Sequence, residues 1–499
     1  MSPEFSRRQV VKGGVVAAGV AAAAVASSTT SSAPAYADKK KPHRPNILLF
    51  TIDDAALETL GFFGGRRGIT PNIDRLASQS TVFGRAHVPL AVCQPSRSAL
   101  MTGLYPHRNG AEGFGPIDDG VPVLNDVLRQ QDYLTGILSK VEHLAPFERF
   151  GWDLALWQDD LGQGRNPAKY AAAAADFFAR SKNEDRPFFL MANSNDPHRP
   201  FFGAAEEKKQ FTPAELATTA TPSAVYTADT VKVPGFLPDL PDVRTELAQY
   251  ESSTRRADDT VGAVLAELTN AGLDDDTIVV FFSDNGMALP FSKANAYVQS
   301  THTPLMVRWP GVARPGRVDK QHFVCTIDLF PTLCLAAGGT PPADIDGRDL
   351  TSLLQGRHQG DRDEIHTVFH ETSAKQRFEM RAVSDDQWSY IWNPWSDGTV
   401  SYKNESMNGL TWPAMVAAAK TDPKVAARVE LFLHRVPEEL YDLRHDPDSL
   451  VNLAPAPGED PAPSVRAVLR RLRASTEEWM TEKADPLHDR YVAEVPQAS

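Results

Sequence analysis

Residues 44–54 read RPNILLFTIDD: a proline, a strand-length run from Asn46 to Thr51, and two aspartates close behind it. Four further apolar, β-branched or aromatic runs of that length follow, at Leu134–Leu138, Phe188–Ala192, Thr277–Phe282 and Leu305–Arg308. Helix-like segments stand among them at Pro71–Gln79, Tyr170–Ser181, Leu247–Ala271 and Ile327–Ala337. The alternation predicts an α/β fold with a large, mainly parallel sheet flanked by helices. The Ala-, Thr- and Pro-rich stretch Glu206–Pro241 reads as a surface excursion between core elements. From about Asp363 the texture changes to alternating strands such as Trp388–Trp392, followed by a helix at Ala462–Lys483. This predicts a first domain over 45–362 and a smaller C-terminal α+β domain over 363–499 with an antiparallel sheet.

Ligands of open parallel sheets bind beyond the carboxyl ends of the strands. Four of the five runs end there in groups suited to chemistry: Asp53 and Asp54; Lys140 and His143 in SKVEH; His198 in NDPHRP; Asp284 and Asn285 in SDNG. Each alone has a plainer reading as a turn, a cap or a solvated histidine. One sheet rim would collect them all. Asp53, Asp54 and Asp284 would then repel one another, by roughly 4 kcal/mol per pair at about 4 Å and an effective dielectric of 20. The expectation is a divalent cation bound by oxygen ligands, with calcium favoured over magnesium because the set is irregular and rich in protein oxygens.

The N-terminus carries its own address. Arg7 and Arg8 precede a Gly/Ala/Val-rich stretch, and Ala35-Tyr36-Ala37 offers a small-residue cleavage site, so residues 1–37 read as a twin-arginine export signal and 38–44 as a basic linker. The expected destination is the cell envelope, the periplasm or the medium. Losing the signal removes three basic residues and one acidic one, which moves the formal charge from −13 to −15. Such a surface disfavours nucleic acid and a firm grip on long polyanions, and leaves a short saccharide as the easier substrate. Oligomeric state is not legible. Cys325 and Cys334, nine apart in the expected helix, lie half a turn out of phase and cannot bridge within it, so the three cysteines form no disulfide framework.

The third cysteine stands in AVCQPSRSALMTG, residues 91–103. Pro95 suits a first helical turn and Gly103 a helix end, so Cys93 should sit just ahead of a helix N-terminus, where anionic charge is favoured. Cys93-x-Pro95-Ser96-Arg97 followed by Thr102-Gly103 resembles the signature of the formylglycine-dependent sulfatases of the alkaline phosphatase superfamily. The likeness runs from RPNILLFTIDD to ELYDLRHDPDSLVNLA, ending at Ala454. Within that family the chain is most similar to the heparan N-sulfatases, through PFFLMANSNDPHRPF and VKVPGFLPDLPDVRTELAQY.

The resemblance implies an alkaline-phosphatase-like fold with 45–362 as its catalytic domain. It implies that a formylglycine-generating enzyme oxidises Cys93 to an aldehyde, hydrated beside a metal held by Asp53, Asp54, Asp284, Asn285 and an oxygen on residue 93. One hydroxyl would attack sulfur, and the other would later expel sulfate. Arg97 would hold the diol, Lys140 and Lys293 would contact the sulfuryl oxygens, His143 would serve the diol's proton transfers, and His198 would protonate the leaving atom. Three positions depart from the family pattern. The usual Gly-Lys-x-His becomes Ser139-Lys140-Val141-Glu142-His143, with His143 rather than Glu142 assigned the role. Asn195 stands where N-sulfatases carry histidine, and Lys293 where they carry arginine. Arg199 follows His198 as in the N-sulfatases and is a candidate for contact with a sugar. The expected activity is hydrolysis of a sulfated sugar, either a sulfamate or an O-sulfate ester. A phosphoester hydrolase and a calcium-dependent carbohydrate-binding protein are the competing readings, and Cys93 in its full motif argues against both.

Overall fold

The computed structural model describes residues 44–66 and 68–495. The expected export signal and most of the expected linker lie outside them. The opening run forms β1 (Asn46–Ile52), buried along its whole length. The chain then builds β2 (Thr81–Phe83), β3 (Ala86–His87), β4 (Leu134–Leu138), β5 (Leu154–Leu156), β6 (Phe188–Ser194), β7 (Thr277–Ser283), β8 (Leu305–Arg308), β9 (Arg317–Asp319) and β10 (Val324–Cys325). Eight of these form one sheet in the order β5-β4-β6-β1-β7-β8-β2-β9, and β3 pairs with β10 beside it.

Alternation along β1 explains the layers. Leu48, Phe50 and Ile52 pack with Tyr170, Phe177 and Phe178 of the helix Pro167–Glu184 and with Ala257, Val261 and Val264 of the helix Pro241–Asn270. Ile47 and Leu49 face the other way, into a cluster with Leu100, Leu128 and Phe330. The sheet is mainly parallel, as expected, but β8 runs antiparallel to both β7 and β2. That orientation sends the end of β8 to the opposite rim, and it explains why this run ends in no candidate chemistry.

The C-terminal texture is an antiparallel sheet, β11 (Ile365–Glu371), β12 (Arg377–Ser384), β13 (Trp388–Trp392) and β14 (Glu438–Asp442), paired in that order. The helix Pro463–Glu482 buries Leu469, Leu472 and Met480 in one cluster with Phe369, Ile391 and Leu440. The same cluster takes in Leu90, Leu247 and Phe291, so apolar packing runs without a break across position 363.

Two expectations are corrected. Cys325 lies in β10 and precedes a short 3-10 turn, Thr326–Asp328, while the α-helix begins only at Leu329. The two cysteines are nonetheless free and buried. The stretch 206–241 is not wholly superficial: Val231, Phe236 and Leu237 are buried in the C-terminal cluster, anchoring an otherwise polar segment.

Candidate active site

Register brings the predicted strand ends level. Ile52 of β1 pairs with Ser194 of β6 on one side and Ser283 of β7 on the other, so Asp53, Asn195 and Asp284 all leave the sheet at one height. Asp54 then turns back with φ 67°, and Ser139 and Lys140 after β4 take φ 59° and 56°. Left-handed backbone at three non-glycine residues costs on the order of 1 kcal/mol each, and it persists here where side chains must be aimed into the rim.

Cys93 enters from a different layer. It is itself the first residue of the helix Cys93–Thr102, one position further in than the motif suggested, and all ten residues of that helix are buried. Gly103 closes the helix in the left-handed region, with φ 70°. The Cys93 thiol lies 3.7 Å from Asp54 Oδ1. One turn on, Arg97 spans the site: Nε and Nη2 donate to Asp284 Oδ2 at 3.0 and 2.7 Å, Nη1 donates to Thr51 Oγ1 and Asn193 Oδ1, and Asp53 lies 3.6 Å away.

Asp53, Asp54 and Asp284 come together as predicted, but carboxylate repulsion is not left for a metal alone to cancel. Lys140 ion-pairs with Asp53, Lys293 lies 2.7 Å from Asp54 Oδ1, and Arg97 grips Asp284. Three buried cations therefore face three buried carboxylates. What favours a cation is the donor set. Ligand atoms of Asp53, Asp54, Cys93 and Asp284 lie within 4.8 Å of one another. Asn285 donates its amide to Asp54 Oδ1 and Gly286 O, which leaves its own buried Oδ1 without a hydrogen-bond partner. These oxygens suit a hard divalent ion.

Charge is unevenly spread. Burial opposes ionisation of Asp53, yet Lys140, His198 and Arg97 hold its carboxyl well below the usual range. Burial and the charge of Asp53 push Asp284 well up. Burial and the same carboxylates push the Cys93 thiol well above its ordinary value, so the unmodified side chain is a poor source of thiolate. Burial and neighbouring Lys293 lower His198, and burial and Lys140 lower His143 further.

These groups open on a cavity of about 270 Å³ lined by Cys93, Lys140, His143 and His198 among others. His198 Nε2 stands 3.8 Å from Asp54 Oδ2, and its Nδ1 pairs with the Arg199 carbonyl at 2.6 Å. His143, not only Glu142, faces this space, with a buried Nδ1 that has no hydrogen-bond partner. Lys140 lines the cavity while ion-paired to Asp53, and Lys293 is wholly buried between Asp54 and Glu405. Arg199 borders the cavity but is committed to Glu246 at 2.5 Å and to the Ala288 carbonyl. Asn195 accepts from Ser139 Oγ and donates to Gln158, a role in which no histidine is needed.

Sequence reasoning missed Thr51 and Asn193, which hold Arg97, and Glu405, whose Oε1 lies 2.6 Å from Lys293 Nζ. Thr51 and Asn193 lie within recognisable strands one to two residues before the rim, so a search of strand ends for polar residues could have found them. Glu405, more than a hundred positions from Lys293, carries no local signal.

Comparison with known proteins matches this geometry. The Sulfatase family matches residues 45–339, and the family described as N-sulphoglucosamine sulphohydrolase, C-terminal, matches residues 288–396. Human N-sulphoglucosamine sulphohydrolase is 29% identical over 472 residues, covering 88% of this chain and 91% of its own. An ulvan-active sulfatase of Formosa agariphila is 26% identical, covering 90% and 82%. Among solved structures, a protein in complex with its substrate D-glucosamine-2-N,6-O-disulfate superposes with a TM-score of 0.65 at 18% identity, covering 89% of this chain and 99% of that one. The phosphonate monoester hydrolase of Agrobacterium radiobacter superposes with a TM-score of 0.62 at 21% identity, covering 87% and 96%, a likeness of fold alone. With a buried cysteine at a helix head, an acidic oxygen cluster around it and the family match over most of its length, the chain belongs to the sulfatases, enzymes that hydrolyse sulfate esters or sulfamates.

Proposed function

We propose that this sulfatase uses formylglycine at position 93 to remove sulfate from a small sulfated saccharide, with N-sulfoglucosamine as the favoured substrate. The observation that carries the reading is the placement of Cys93: its thiol sits at the metal-type cluster of Asp53, Asp54 and Asp284, beside Arg97, at the floor of the cavity that His143 and His198 share. A cavity of about 270 Å³ is in keeping with a small saccharide substrate. The match of residues 288–396 and the human relative favour the sulfamate over an O-sulfate ester.

Asp53, Asp54, Asp284 and Asn285 would hold a divalent cation, calcium by preference over magnesium, which when bound supplies charge neutralisation and polarisation at residue 93. Conversion of the Cys93 CH2–SH to an aldehyde, followed by hydration, provides two hydroxyls. Arg97 holds one in place. The other loses its proton with help from His143 and attacks sulfur, and the S–N or S–O bond breaks as His198 gives its proton to the leaving atom. The hydroxyl left on carbon 93 then loses its own proton, the aldehyde re-forms and sulfate departs. Burial and Lys293 hold His198 low in the free enzyme, and an arriving sulfuryl anion shifts it back toward the protonated form this step requires. Maturation by a formylglycine-generating enzyme and export through the twin-arginine machinery complete the proposal. Among the described residues no helix is long and apolar enough to cross a membrane.

Turnover of N-sulfoglucosamine, 6-O-sulfoglucosamine and an aryl sulfate by the mature chain tests the reading. Preference for the first is expected. Activity confined to the O-sulfates moves the assignment to an ester sulfatase, and phosphoester turnover without sulfate release overturns it.

A further inference from the structure

Glu405 and Glu142 are the two carboxylates that line the cavity, and of these Glu405 is the one paired with Lys293. It opens a 3-10 turn, Glu405–Met407, in the loop between β13 and β14. The preceding residues fasten that loop to the active site: Tyr402 OH donates to the Ala294 carbonyl, and Asn404 Nδ2 donates to the Lys293 carbonyl at 3.3 Å and to Tyr402 OH at 3.0 Å. Asn404 Oδ1 in turn accepts from Ser406 N and Oγ. The bonds of its neighbours therefore hold the Glu405 backbone against the active-site segment at Lys293. One oxygen meets Lys293, and while Lys293 is wholly buried, 24% of the Glu405 side chain remains open. That open part lines the same cavity as Cys93 and His198.

A carboxylate here repels any sulfated substrate unless the substrate offers it a donor. The two candidate bond types differ in that respect. A sulfamate nitrogen carries a hydrogen, and after S–N cleavage, with the electron pair left on nitrogen and a proton taken from His198, it is an amine that takes a further proton from water. An ester's bridging oxygen carries no hydrogen and would turn lone pairs toward the carboxylate. We infer that Glu405 is a specificity-determining residue that accepts a hydrogen bond from the leaving nitrogen, selecting sulfamates over sulfate esters. This rests on the sulfatase reading above and deepens its substrate class. A part-buried acceptor can still discriminate, because the wrong substrate leaves it unpaired or repelled.

The test compares wild type, Glu405→Gln and Glu405→Asp, each with formylglycine content matched by mass spectrometry. It measures kcat/KM on N-sulfoglucosamine and on 4-nitrocatechol sulfate, and inhibition of aryl sulfate turnover by glucosamine and by N-acetylglucosamine. Glu405→Gln should lower kcat/KM for the sulfamate about 10- to 100-fold more than for the aryl sulfate, the range of a hydrogen bond to a charged group. It should also weaken inhibition by glucosamine about tenfold or more, with N-acetylglucosamine little changed. Glu405→Asp, which keeps the charge, should retain most of both preferences. Equal losses on both substrates with unchanged glucosamine inhibition would reduce Glu405 to a support for Lys293 and overturn the inference. A wild type that hydrolyses the aryl sulfate but not N-sulfoglucosamine would refute the sulfamate reading, and the glucosamine comparison would still decide on Glu405. Should Glu405→Gln not fold, Glu405→Asp must show both shifts in smaller measure, and their absence sinks the idea.

Discussion

At the scale of residues, His198 and Lys293 both approach Asp54, at 3.8 and 2.7 Å, and the proposed chemistry gives them separable signatures. His198→Ala should lose about 10² to 10⁴ in rate on a sugar substrate, the usual worth of a positioned proton transfer. It should lose far less on an activated aryl sulfate, whose phenolate leaves without help. Lys293→Ala should hurt both substrates alike, because Lys293 supports the cluster rather than the departing atom. Equal losses for His198→Ala would hand the acid role to His143. Cys93→Ala should abolish turnover, and peptide mass spectrometry of active wild type should find an aldehyde at position 93; full activity with an unmodified thiol there would end the formylglycine mechanism. Cys93, Arg97 and the acidic cluster were legible because short motifs carry their chemistry within a few positions. The partners of Arg97 were harder, since Thr51 and Asn193 read as ordinary strand residues until β1 and β6 lie side by side.

Among the elements, the helix Pro71–Ser78 lacks a side-chain cap from its own N-terminal residue. Asp258 of the long helix supplies one instead, accepting from Asn72 N at 2.9 Å, Ile73 N at 2.8 Å and Asn72 Nδ2 at 2.8 Å. Asp258→Ala should destabilise the fold by about 1–3 kcal/mol, the cost of uncapping a helix and orphaning buried donors. Burial raises the Asp258 carboxyl to about 6, so the folded state binds its proton more tightly than the unfolded chain does. Its contribution is then fullest below the unfolded value and fades as pH rises through about 6; the gap between wild type and variant should be roughly 1 kcal/mol smaller at pH 8 than at pH 5. Urea denaturation at both values reads this directly, and a gap that widens with pH would contradict the sign. Long buried runs such as β1, β6 and β7 were visible because they are too apolar to be anything but interior. The short β2, β5 and β9 were not, for three residues hold no periodicity and pair only because longer neighbours template them. The antiparallel sense of β8 was equally hidden, since direction is set by the connection and not by the strand's own residues.

Across the whole molecule, a ligand bound only by the folded chain raises stability by mass action, worth about 2.7 kcal/mol at a hundredfold excess over Kd. Removing divalent ions with a chelator should therefore lower Tm, calcium should restore it, and Asp54→Asn should blunt both effects. An unchanged Tm in wild type would count against a resident cation. The position of Glu405 was beyond any reading of the sequence because it depends on the C-terminal sheet closing over a loop more than a hundred residues earlier. The burial of the helix Cys93–Thr102, all ten residues of it, carries a consequence in time. No second protein can grasp that segment once the fold has closed around it. On the proposed formylglycine mechanism, an enzyme that rewrites Cys93 must arrive while the chain is still open, so the window for activation is measured against the speed of folding, and a faster-folding variant would leave more of its molecules permanently inert.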